Sequence, residues 1–98
     1  MNMSVTIPPV RTFAHVEASK EQALKPLEEA AEVFAAWQAR AAAHELHHGV
    51  ADAGVALVDE CCDVITATCN LLAALGVDDL TEAMAACEER NRKRGRYE

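Results

Sequence analysis

Residues 55–75 read "VALVDECCDVITATCNLLAAL". Stacked at about 100° per residue, Val64, Ile65, Leu71, Leu72 and Leu75 fall on one arc, and Cys62, Cys69 and Ala73 cover most of the far side. Glu60, Asp63 and Asn70 share an arc of about 80° between them. A helix that is apolar around so much of its circumference belongs at the centre of a bundle. The same three polar residues interrupt the best candidate for a membrane span, which needs roughly 18 apolar residues in a row.

The rest of the chain agrees with an all-α fold. Of 98 residues, 51% are hydrophobic, but much of that share is alanine and only four residues are aromatic. Alanine favours helix and lets helices approach closely, while strand formers occur only in short isolated runs. A chain this short buries a modest core, so three or four helices leave an apolar face that needs a partner. Oligomerisation is therefore expected to complete the bundle.

Residues 1–17 are expected to form an extended arm, since Val5, Ile7 and Val10 surround Pro8-Pro9. The helical domain is expected over 18–98. A short helix starts near Ser19 through "KEQALK", and Pro26 is expected to end or kink it and open a second helix, "PLEEAAEVFAAWQARAAAHEL". Gly49 and Gly54 are read as a loop or break before the 55–75 helix, and Gly76 as its C-terminal cap. Asp79 with Glu82 resembles a capping box that opens a last helix through Arg94. The opening "MNMSVTIPPVRTF" lacks a basic region followed by a long apolar one, so no signal peptide is expected. Cys61, Cys62, Cys69 and Cys87 include no CxxC spacing, and reduced, mostly buried thiols in a cytoplasmic protein are expected.

Net charge is −7, which disfavours a nucleic-acid binder. Five of the nine basic residues lie in "RNRKRGR", residues 90–96, and none occurs between Arg40 and Arg90. The middle of the chain thus carries carboxylates with no cation nearby in sequence. Two segments each present acids at i, i+3: Glu29 with Glu32, and Glu60 with Asp63. A solvated helical face usually interleaves Lys or Arg with its acids. Converging carboxylates without them repel one another, and a divalent cation relieves that repulsion. Oxygen-only ligands select a hard ion, Mg²⁺ or Mn²⁺.

These residues also carry a family resemblance. "EEAAE" at 28–32, followed after 27 residues by "ECCD" at 60–63, resembles the EExxE…ExxD signature of the MazG-like all-α nucleoside triphosphate pyrophosphohydrolases. The likeness continues through "LLAALGVDDL" and "ERNRKRGRY", covering roughly residues 20–97. It implies Mg²⁺-dependent cleavage of a nucleoside triphosphate to a monophosphate and pyrophosphate, in a bundle completed as a homodimer or dimer of dimers. Carried onto this chain, the metal ligands are Glu29, Glu32, Glu60 and Asp63, and Glu28 is a further ligand or the group that activates water. Phosphoryl transfer needs charge neutralisation and a water held in line more than covalent work. Lys25, Lys93 and Arg94 are candidates for the remaining phosphate oxygens, and Asn91 for the sugar or a phosphate. Asn70 reads as a structural hydrogen-bonding residue and Trp37 mainly as core packing.

One stretch departs from that family's pattern. "HELHHG" at 44–49 contains H-E-x-x-H, which in zinc hydrolases sets two histidines on one helical face. Such a site needs a third ligand from elsewhere; the only other histidines are His15 and His47, and His47 points away from the His44–His48 side. The match is read as incidental. Two alternatives to the main reading stand: a phosphoribosyl-ATP pyrophosphohydrolase, and a non-enzymatic helical interaction module.

Overall fold

A computed structural model describes residues 3–98 as three helices with no strand among them. Residues 3–19 precede the first helix without regular secondary structure. Helix α1 spans Lys20–Leu46, α2 spans Val50–Ala74 and α3 spans Thr81–Lys93.

Each boundary has a local cause. Ser19 caps α1, its Oγ accepting the Gln22 N–H at 3.1 Å. At the other end His47 takes φ +54, and the His48 N–H reaches back to the Ala43 carbonyl at 3.1 Å. Histidine is among the side chains that tolerate this left-handed region better than most. Gly49 follows at φ +74, and the chain reverses into α2. At the end of α2, Gly76 takes φ +80. Its N–H bonds Ala73 O, and the Val77 N–H bonds Leu72 O, the paired pattern of a Schellman cap. A Cβ on Gly76 would meet nothing within 4 Å, so Gly76→Ala carries a backbone penalty alone. We expect a loss of about 1 kcal/mol, read as a fall of several degrees in Tm. Asp79 Oδ1 accepts from both the N–H and the hydroxyl of Thr81, at 2.9 and 2.7 Å, just ahead of α3; the capping box expected with Glu82 does not form, because Leu80 is the N-cap and no side chain caps the helix.

Two expected breaks are absent. Pro26 lies inside the continuous α1, and Gly54 lies inside α2. The proline removes one hydrogen bond, the one its N–H would have made to the Gln22 carbonyl, while its fixed φ suits the helix. Helices α1 and α2 pack along one another as a hairpin, and that pairing holds α1 together across the gap. Gly54 sits where the hairpin closes, its missing Cβ facing Arg40 Nε at 3.8 Å.

The hairpin has little interior of its own. Ala67 and Asn70, both on α2, are the buried residues among those described. Along α1, Leu27 is 67% exposed, Phe34 62% and Trp37 51%. Trp37, expected as core packing, stands half exposed with the Arg40 guanidinium 5.9 Å from its ring centroid. The thiols, expected mostly buried, are exposed at Cys61 and Cys62 and half-buried at Cys69 and Cys87; all four are free. Helix α3 packs against neither α1 nor α2. The accessible surface is 8143 Å², against about 5,500 Å² for a compact chain of 10.6 kDa. The radius of gyration, 16.2 Å, likewise exceeds the roughly 13 Å of a compact domain this long.

Candidate metal centre

The hairpin sets the acidic residues of two distant segments side by side. Glu29 comes from α1, and Glu60 and Asp63 lie one turn apart on α2. One carboxylate oxygen from each of the three lies within 4.8 Å of the others. Glu29 and Glu60 are half-buried and Asp63 is exposed. Oxygens bound in adjacent positions around Mg²⁺ stand about 3 Å apart, so small side-chain rotations would close the group around one ion.

The crowding of acids is felt at Glu60. Glu60 holds its proton more tightly than a free glutamate. Partial desolvation is the first cause, and Asp63, Glu32, Glu29 and Asp59 add their negative charge in that order. Among the described residues the ion pairs are Lys25–Glu28, at 3.0 Å, and Arg92–Glu89, at 2.6 Å. Neither reaches the three carboxylates. The Arg92 pair instead holds the Glu89 carboxyl below its usual range, as the two Thr81 hydrogen bonds do for Asp79.

The other sequence-derived candidates fall in different places. Glu32 acts on Glu60 through its charge, but its carboxylate lies outside the group of three. Glu28 lies outside the group and pairs with Lys25. Lys25 itself lines a cleft of about 540 Å³ that also includes Glu29 and Asp63. Asn91, Lys93 and Arg94 belong to the end of α3, apart from the hairpin; the Asn91 amide lies 3.7 Å from Cys87 Sγ. The histidine stretch lies at the far end of α1. The helix stops at Leu46, so His48 stands in the turn and the two histidines of H-E-x-x-H do not share a helical face. His47 serves the turn through its left-handed backbone.

Sequence reasoning assigned no role to the N-terminal arm at this site. Phe13, His15 and Glu17 line the same cleft as Glu29 and Asp63. The Phe13 N–H donates to Asn70 Oδ1 at 2.9 Å, across 57 positions of the chain. Asn70 thus makes a structural hydrogen bond, as its type suggested; its partner had no local signal in the sequence. Family models, curated proteins and solved structures were each compared with the chain, and none matches.

Proposed function

We propose that the chain is a Mg²⁺-dependent nucleoside triphosphate pyrophosphohydrolase of the MazG-like kind, acting as a homodimer or dimer of dimers. The observation that carries this reading is the meeting of Glu29, Glu60 and Asp63 across two helices, with no cation paired to them among the described residues. Such a donor set, all oxygen and strongly negative, fits a hard divalent ion, Mg²⁺ or Mn²⁺. When bound, that ion supplies charge neutralisation for the phosphate chain and lowers the pKa of a water.

The chain's own residues do the remaining work. Glu29, Glu60 and Asp63 would hold the ion. Glu32 stands beside them with its carboxylate outside the group, and is the acid best placed to take a proton from the attacking water. Glu28 is less suited, because its pair with Lys25 must first break. Lys25, at the edge of the cleft, is available to a phosphate oxygen once that pair opens. Water attacks the α-phosphorus, the bond to the bridging oxygen breaks, and pyrophosphate leaves with the bond's electrons. The apolar residues that α1 exposes, and a surface roughly 2,600 Å² above the compact expectation, support assembly, because obligate interfaces are of that order. In such an assembly Asn91, Lys93 and Arg94 of α3 would serve the phosphates.

Incubating the purified protein with Mg²⁺ and a panel of ribo- and deoxynucleoside triphosphates tests the reading. Pyrophosphate and a monophosphate are expected as first products. Orthophosphate appearing first, or no release from any nucleotide, would overturn it. The histidine stretch should be dispensable: His44→Ala combined with His48→Ala is expected to leave Mg²⁺-dependent turnover within about threefold, since neither residue contacts the acids. Activity lost in that double variant and restored by zinc alone contradicts this expectation.

A further inference from the structure

The N-terminal arm crosses α2 on its way to Ser19, and neither the helix pairing nor the acidic group accounts for its course. It makes one specific attachment. The Phe13 N–H is bound by Asn70, which is only 2% exposed, and the bond joins the arm to α2 one turn before that helix ends. An amide placed that deeply needs its partners, so the bond fixes the arm rather than merely touching it. The Phe13 ring is nevertheless left 66% exposed and lines the cleft. Asp63 marks one end of that cleft on α2 and Asn70 the other. Seven residues separate them, about 10 Å at the helical rise, which is the reach of a sugar with its base. Between those ends the lining is mixed: His15, Gln22 and Thr66 can donate or accept, and Ala67 is apolar. A cleft that holds an aromatic ring together with acids suited to a metal is matched to a ligand with a flat apolar face and a charged tail.

We infer that Phe13 is the stacking platform for the base of the bound nucleotide, and that Asn70 is the positioning residue that holds the arm, and with it the ring, over the cleft. This rests on the nucleotide reading given above. Base–aromatic stacking tolerates every base, because each has a π-face. The arm therefore contributes affinity for the nucleoside end, and the groups lining the cleft choose among bases.

The test separates this inference from the function it rests on. Steady-state kinetics on the full chain are compared for the parent, Phe13→Ala, Phe13→Tyr and Asn70→Ala, alongside Mn²⁺ binding by calorimetry. Phe13→Ala is expected to raise KM by about tenfold or more, with kcat within about threefold and Mn²⁺ affinity unchanged. Phe13→Tyr keeps the aromatic face and should restore the parental KM. Asn70→Ala should reproduce the KM effect and also raise hydrogen exchange at residues 12–16. Because Phe13 is exposed, its substitution leaves folding intact even if that of Asn70 does not. A parental KM in Phe13→Ala overturns the inference and leaves the pyrophosphohydrolase reading standing. A parent that neither binds nor cleaves any nucleotide overturns both.

Discussion

Glu60→Gln is expected to lower turnover and Mg²⁺ affinity on the order of a hundredfold or more while the chain stays folded. The substitution keeps the side chain's shape and removes one negative charge from the group formed with Glu29 and Asp63. The direction of the stability change separates a metal site from a structural role. In the metal-free chain Glu60 binds its proton more tightly than it does when unfolded. The stability linked to that proton is fully present below the ordinary glutamate range, and is lost as pH rises through the raised folded value. Glu60→Gln has no such proton to lose, so its melting temperature in EDTA should fall less over that pH window than the parent's. Mg²⁺ competes with the same proton, so parental Mg²⁺ affinity should rise with pH across the same range. Parental turnover in Glu60→Gln at equal Mg²⁺ would remove the basis of the proposed chemistry.

Phe34→Asp should have the larger effect on the folded state. Phe34 is 62% exposed on α1, near Trp37 and on the same face as Leu27, and the chain buries too little to hold two long helices alone. If a second copy covers this face, an aspartate there loses about 3–5 kcal/mol of apolar burial and leaves an unpaired charge in the interface. A chain this short has no such margin. The parent is expected to sediment as a dimer or tetramer, with a melting temperature that rises with concentration. The variant is expected to lose most of its helical circular dichroism at micromolar concentration. A parent that sediments as a stable, folded 10.6 kDa monomer would falsify the assembly.

The sequence carried the helical class and most caps, because periodicity and capping are local. Ser19 and Gly76 each act within three residues of where they stand, whereas the box read at Asp79 and Glu82 gives way to a turn on Thr81. The nearness of Glu60 and Asp63 was equally legible, since i, i+3 places them together on any helix. That Glu29 meets them depends on how two helices pair, and there the acid spacing was informative but incomplete: Glu32 stays just outside the group. Pro26 misled because a proline's local penalty is visible in sequence and the compensating contact with α2 is not. The Phe13–Asn70 bond was unreadable for a different reason. A backbone N–H carries no residue-specific signal, and its partner lies 57 positions away. Lys25 similarly reads as a free cation until its pair with Glu28 is seen.

Helix α3 stands apart from the hairpin, and at 13 residues it is near the length at which an isolated helix is marginal in water. The Glu89–Arg92 pair and the Asp79–Thr81 turn are exposed to solvent and add little to it. Its amide hydrogens therefore report something that those of α1 and α2 do not. In a lone chain, the amides of residues 85–93 should exchange with solvent deuterium nearly as fast as those of an unstructured peptide. Once α3 docks against a neighbour they should be protected together, so their exchange rate follows protein concentration. If a second copy docks as proposed, Lys93 and Arg94 would share that fate, and the positive charge they bring would become fixed in space only then.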